Sequence, residues 1–425
     1  MLTDLPDRLQ LARESVAEQV ARWGLLINIG YRSVTIADLD FDHHTEGISA
    51  GSTLLFRDKD KTLDSLANTA FQEGFTWNSE DQDQAWWRPQ GITGTADASA
   101  SNEWEGERYL IVSWHSLFEE RDREFEGAPD AIRQGTGLAR ITVVKVTNGF
   151  DEAPYRHVLL VEPYEKRTGR TGFSVIASHA GGIVWHGRYL FVASAKKLLI
   201  FDLTTILDLD DRIDDSASSH GTPVLTPSRV ELSSIPSAGA SAAYDDETER
   251  FDTMGCRYVC PLYMKYTLVE SDEFGSSHFA TLGLDRSFDP PRLVSSQFVD
   301  VGSEDFDQDV DHAVVSWWKL HEATGLLDNP TADTITCARL VATGEEFIQG
   351  VHAWGSQVWL STAIDLLHRV VGGSVEDADY NWPHGAESLH YSPSSDHLWC
   401  LNEFEGFRAV WCINRNDAWP FWWTH

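Results

Sequence analysis

The side chains of this chain that are suited to chemistry recur at one place in a repeated pattern. Gln90, His179, Gln349 and His384 each stand one or two residues before a glycine that leads into a short apolar run, and Arg88, His352 and Glu387 lie within three residues of such a glycine. Brought together, they would form a ring of hydrogen-bond donors and acceptors with one fixed cation and one carboxyl group. Such a ring can polarise a carbonyl, stabilise a developing oxyanion and move a proton. His179 and His384 are then the expected donors to a substrate oxygen, Arg88 the oxyanion partner and Glu387 the proton carrier. Gln90, Gln349 and His352 would bind substrate polar groups, and Trp87, Trp185, Trp354 and Trp382 would wall an apolar cup. The same residue types also serve structure: polar groups at strand starts satisfy backbone atoms and channel water, and tryptophans fill gaps between sheets.

Other chemistries lack their signatures. Cys256 and Cys260 have no second pair at zinc spacing, and His43-His44 has no partners in sequence. Asp305, Asp307, Asp309 and Asp311 alternate as in a calcium loop, but without its glycine and bidentate glutamate they read as a solvated acidic loop. Gly91-Ile-Thr-Gly94 and Gly181-Gly182 do not open a helix after a parallel strand, so no dinucleotide fingerprint is present. There is no phosphate-binding loop. The expectation is a site that needs no metal and no cofactor.

The elements that must position these residues are strands. After an N-terminal stretch in which Leu5, Leu9, Leu11, Val16 and Val20 recur at a turn-like spacing, the chain consists of short β-branched and aromatic runs separated by Gly, Pro, Asp and Asn. Self-comparison exposes a repeat. Trp87-Arg-Pro-Gln-Gly-Ile-Thr-Gly94, with Gly106–Val112 after an acidic insert, has the same shape as Ser178–Ser194, Ile348–Ser361 and Trp382–Tyr391 followed by Asp396–Leu401. A third strand is visible at Lys197–Asp202 and Phe407–Ile413, and a fainter copy lies around Ala242–Asp245 and Gly255–Cys260. The segment Thr204–Ser219 reads as a partly helical surface excursion.

This rhythm predicts an all-β chain: a single β-propeller of about five four-stranded blades, within the usual range of roughly four to eight, over residues 25–425, preceded by a helical segment over residues 1–24. Glycine suits the innermost strands, where backbones crowd and a Cβ would collide. Leu25–Ile29 or Ser33–Ile36 is expected to close the ring by pairing with the last blade.

The chain has 425 residues, with 66 acidic against 33 basic side chains and a formal net charge of -33. A field of that sign repels phosphate, so neither nucleic acid nor an anionic membrane surface is an expected partner. No run approaches the roughly 18 apolar residues of a membrane helix, the N-terminus lacks the basic and apolar regions of a signal peptide, and five cysteines are too few and too odd for a disulfide framework. A cytoplasmic location is expected, with the oligomeric state left open.

Tyr155-Arg-His-Val-Leu-Leu-Val-Glu-Pro-Tyr164, His179-Ala-Gly-Gly-Ile-Val-Trp185 with Arg188-Tyr-Leu-Phe-Val192, and His384-Gly-Ala-Glu-Ser-Leu389 with Leu398-Trp-Cys-Leu-Asn-Glu403 resemble a family of bacterial propeller proteins, many of them exported. The likeness runs from about residue 85 onward and implies the propeller fold. The missing export signal departs from that family and points to a step of specialised metabolism inside the cell. The chain also resembles the cofactor-free hetero-Diels–Alder enzymes of fungal tropolone-sesquiterpenoid pathways, from which no residue role is carried over. That resemblance implies a cyclisation or cycloaddition on an apolar or aromatic small molecule at the propeller axis. A lectin-like propeller or a glycosidase is the alternative. A lectin would repeat the same polar residue in each unit, and a glycosidase needs two facing carboxylates, of which the repeat supplies Glu387 alone.

Overall fold

The computed structural model describes residues 3–5, 8–26, 31–41, 45–49, 71–84, 87–116, 137–147, 150, 153–165, 171–212, 225–226, 244–245, 250–252, 256–269, 278–299, 313–328, 332–364, 366–371, 374–377, 382–406 and 408–415. The His43-His44 pair and the acidic run Asp305–Asp311 lie outside them. Within them the chain is mostly β, as its runs of branched and aromatic residues require, and no helix is long and apolar enough to cross a membrane. All five cysteines are free and buried.

The strands form several sheets, and five antiparallel units carry the architecture. Unit I is Trp87–Gly94, Arg108–Ser116, Ala139–Val146 and Ala153–Glu165, extended by Thr171–Val175. Unit II is Ile183–His186, Tyr189–Ser194, Lys197–Asp202 and Tyr258–Leu268. Unit III is Thr281–Asp285, Arg292–Ser296, Val314–Lys319 and Arg339–Ala342. Unit IV is Ile348–Trp354, Gln357–Thr362, Leu366–Val371 and Ser374–Asp377. Unit V is His390–Ser392, His397–Leu401 and Ala409–Asn414, completed by Phe71–Thr76 from far upstream. Units I, II and V merge into one barrel-like network, because Tyr258–Leu268 also runs parallel to Ala153–Glu165 and Thr45–Ser49 bridges Ala153–Glu165 and Phe71–Thr76.

The first strands of the units meet in a closed cycle, and glycine makes the contact possible. A Cβ on Gly91 would lie 3.1 Å from Ile183 N, one on Gly182 2.0 Å from Leu282 N, one on Gly283 2.3 Å from Val351 O and one on Gly350 2.6 Å from Glu387 O. The amide of Ser388 then reaches Gln90 O at 3.3 Å and closes the cycle. Between the units, large rings fill the space: Trp77, Trp114, Trp185, Trp317, Trp318, Trp359, Trp382, Trp399 and Trp411 are all essentially inaccessible to solvent.

Several expectations are corrected. The N-terminal helix spans Val16–Leu26 alone, with Ser15 and Glu18 exchanging capping hydrogen bonds at its start. Upstream, Thr3–Asp4 pairs with unit III and Gln10–Arg13 with unit II. Leu9 and Leu11 alternate inward as strand residues do, while Val16 and Val20 are 58% and 63% exposed, so the five apolar positions do not share one helical face. Closure comes from Phe71–Thr76; Tyr31–Val34 pairs instead with Ile206–Arg212, which is strand and not a helical excursion. The third unit begins at Thr281, and the supposed copy at Cys256–Cys260 leads into the fourth strand of unit II.

Candidate functional site

The candidate site forms where the chain enters the first strands. Two β-bulges aim the glutamines. In unit I, Pro89 pairs with Trp114 and Ile92 with Val112, leaving Gln90 and Gly91 opposite Ser113 alone. In unit IV, Ile348 pairs with Thr362 and Gly350 with Ser361, leaving Gln349 as the extra residue. A bulge bends its strand and redirects a side chain that regular alternation would send elsewhere. Ser113 fixes the first bulge by accepting from Gly91 N at 2.8 Å and donating to Ala180 O at 2.7 Å; Ser361 donates to Ala386 O at 3.4 Å in the equivalent place.

The segment before the first strand of unit V is pinned to the turn after its second strand. Asn402 Nδ2 donates to His384 O at 2.8 Å, Glu403 N donates to Gly385 O at 3.1 Å, and Trp411 Nε1 holds Asn402 Oδ1 at 2.7 Å. Gly385 has φ +70° and sits against the Phe404 ring, which a Cβ would approach to 2.5 Å, so no larger residue fits. Glu403 and Phe404 are thereby carried to the same mouth as His384 and Glu387.

The result is a layered cluster. At its floor Gln90 is fully buried; its Nε2 donates to Glu403 Oε2 at 2.9 Å and to Pro89 O at 3.0 Å, and its Oε1 has no hydrogen-bond partner among the described residues. Glu387 is 2% exposed; Gln349 Nε2 lies 3.5 Å from its Oε1, and its Oε2 is likewise unpartnered. Arg88 Nη1 is 3.8 Å from Glu403 Oε2, and the guanidinium lies 5.8 Å from the centroid of Phe404, on which His384 stacks at 4.8 Å. At the rim His179 and His384 are exposed, and the His179 ring sits 4.2 Å from that of the buried His115.

Burial governs the protonation of these groups. It pushes the Glu387 carboxyl well above the ordinary carboxylate range, with the Glu403 charge adding and Arg88 opposing. Glu403 is also raised by burial, against the pull of Arg88, Gln90, Arg408 and His384. His179 is lowered to about 4 by desolvation and by Arg88, and His115 falls well below its usual value through burial, His179 and Arg88. The His179 and His115 imidazoles are therefore neutral, and the Glu387 carboxyl is inclined to keep its proton.

Of the residues expected from sequence, Arg88, Gln90, Gln349 and Glu387 join through these contacts, with His179 and His384 at their edge. His352 does not: it is buried between Trp359 and Tyr391, and its pKa is depressed by burial and then by Arg415 and His390. The tryptophans pack the structure. Trp87 lies under Arg140, Trp185 against Trp104, Trp382 against Trp411 with its Nε1 on Ser361 Oγ, and Trp354 on Tyr391. The aromatic face in the cluster is Phe404. Glu403, Phe404 and His115 were not singled out in sequence. The one available signal was that Asn402-Glu403 ends a second strand of the repeat, where a turn returns to the mouth.

A second charged network lies between units I and V. Asp81 accepts from Arg140 at 2.8 Å, Tyr155 at 2.6 Å and Gln84 at 2.7 Å, and faces His157 Nε2 at 3.1 Å, whose Nδ1 meets Thr142 Oγ1 at 2.7 Å. The order Asp–His–Thr mimics a nucleophilic triad, but Thr142 is completely buried and so cannot meet a substrate. It is a core network. Compared with models of known protein families and with curated proteins, the chain matches none.

Proposed function

We propose that the five antiparallel units are the blades of a single β-propeller and that the cluster at their common mouth is the active site of an enzyme that works without a cofactor. The closed cycle of glycine contacts between first strands supports the propeller reading, since radial packing of blades brings inner strands together. The observation that carries the functional reading is Glu387: a buried carboxyl, raised well above its ordinary pKa, with one oxygen lacking a partner among the described residues, beneath a rim of accessible histidines. A protonated carboxyl in a dry site is a strong hydrogen-bond donor and a general acid.

The reaction this favours is a cyclisation or cycloaddition of hetero-Diels–Alder type on an apolar small molecule bearing an enone or quinone-methide carbonyl, as the resemblance to the fungal enzymes implies. Glu387 shares its proton with the carbonyl oxygen, which draws electron density from the conjugated system, and recovers it once the new ring has formed. His179, kept neutral, or His384 supplies a second donor, and Arg88, held by Glu403, faces the oxygen as negative charge develops. Gln90 and Gln349 fix the two carboxyl groups. Holding the reacting ends in a near-attack pose contributes on the order of 7–11 kcal/mol without covalent chemistry.

Glu403 also gives the glycosidase reading the second carboxyl that sequence did not offer. Assays with enone–diene substrates and with aryl glycosides decide between them. The proposal expects turnover of the former, at least tenfold slower in Glu387→Gln and slowed in His179→Ala with folding unchanged. Release of sugar from the glycosides, abolished in both Glu387→Gln and Glu403→Gln, would overturn it.

A further inference from the structure

Unit V, which closes the cycle, holds a second set of donors outside the cluster. Cys412 pairs directly with Glu73 across the outer two strands, and also with Trp399 on its inner side. Directly paired residues share a face, and His397 stands two residues from Trp399, so Glu73, Cys412 and His397 project from the same face of three adjacent strands. One donor atom from each lies within 4.8 Å of the other two. The fourth strand is bulged beside them: Cys412 pairs with Glu73 but Ile413 with Phe71, leaving Gln72 extra, a device that re-aims neighbouring side chains.

We propose that Glu73, His397 and Cys412 bind one thiophilic divalent cation, zinc above all, as a clasp on the sheet that closes the fold. The donor types suit zinc, which takes thiolate, imidazole and carboxylate together. A thiolate and a carboxylate cancel its charge, and the neutral imidazole leaves the site without net charge. His397 Nδ1 lies 3.4 Å from Glu73 Oε1, and that buried nitrogen makes no hydrogen bond among the described residues. The pair is thus close without satisfying each other, as two ligands of a shared ion would be. Glu73 and His397 are partly exposed and open an approach, while Cys412 is fully buried behind them. With three protein ligands a fourth position remains for water.

The position suggests a structural role. The donors sit on the second to fourth strands of unit V, whereas the cluster precedes the first, so roughly 5–15 Å of sheet separates them at about 4.8 Å per strand. The cation would join Glu73, on the strand recruited from upstream, to two residues more than three hundred positions later, which is where a cross-link restrains the unfolded chain most.

The test uses the full chain, reduced and stripped of metal, in high salt with excess magnesium to occupy the acidic surface. Titration with cobalt(II) and zinc(II) should show one tight equivalent, a thiolate-to-cobalt charge-transfer band and a rise in melting temperature with zinc. Cys412→Ser should abolish the band, His397→Gln should weaken binding at least tenfold, and Cys400→Ser, which removes another buried thiol, should change neither. A wild-type chain with no charge-transfer band, or a Cys412→Ser chain that keeps it, overturns the proposal. Cycloaddition activity plays no part in the readout, so this inference and the proposed function fail separately.

Discussion

Replacing Glu387 by glutamine isolates the energetic cost of keeping a carboxyl group at the floor of the cluster. In the unfolded chain that carboxyl loses its proton near 4.5, whereas burial in the native chain, reinforced by Glu403 and opposed by Arg88, holds the proton to well above that pH. Below about pH 4.5 both states are protonated and the site contributes its full stability. Above it, only the unfolded state releases the proton, so native stability falls as pH rises and levels off once the native group also ionises. The slope is about 1.4 kcal/mol per pH unit, so two units inside this window cost about 2.7 kcal/mol. The substituted amide carries no proton to lose and keeps an oxygen for Gln349, so the Glu387→Gln variant lacks this slope. Urea unfolding of both proteins across about pH 5 to 7 should give a wild-type curve that drops relative to the variant, by up to about 2.7 kcal/mol. Because all other titrating groups are common to the pair, only the difference matters. Parallel curves would mean that Glu387 titrates normally, and the proton donor of the proposed reaction would be lost with it.

Two further substitutions probe the frame. Gly182→Ala forces a Cβ to within 2.0 Å of Leu282 N and 2.5 Å of Thr281 C, backbone atoms that cannot step aside, so it should destabilise by about 1–3 kcal/mol or more; Gly24→Ala, on an open helix position with nothing within 4 Å, should instead stabilise by up to about 1 kcal/mol, and thermal melts of the two read the opposite signs. For Asp81, burial raises the carboxyl pKa, but the charges of His157 and Arg140 and the hydrogen bonds from His157 and Tyr155 outweigh it and leave the group well below its usual range. Its stabilisation is therefore present above about pH 3.8 and lost as pH falls. Asp81→Asn should cost about 3–5 kcal/mol near neutrality, with a deficit that shrinks on acidification in denaturant titrations.

How much of this was legible in the sequence follows from the range of the signals. The mostly β character showed because branched and aromatic runs bounded by turn residues are local. The glycines Gly91, Gly182 and Gly350 showed because each precedes an apolar strand beside a polar residue. Gly283 does not show, since Thr281-Leu-Gly-Leu-Asp285 carries no histidine or glutamine beside it, and the repeat pattern points instead to Gly255–Cys260. Leu5, Leu9, Leu11, Val16 and Val20 fit a helical period by number, yet alternation at Leu9 and Leu11 was the governing pattern, because those residues pair in sheets that the local sequence does not reveal. Glu403 and Phe404 reach the cluster through a backbone turn fixed by Asn402 and Gly385, and tertiary hydrogen bonds of that kind leave no periodic trace. Nor could Glu73 be tied to Cys412, with most of the chain between them.

The cycle of first strands leans together through main-chain atoms, with almost no side chain interposed: glycine at four contacts and the Ser388 amide at the fifth. The approach of the units is thus set by main-chain contacts and not by the polar side chains beside them. On the proposed function, selectivity would therefore change through substitutions at Arg88, His179 and His384, while the main-chain contacts that hold the units together stay as they are.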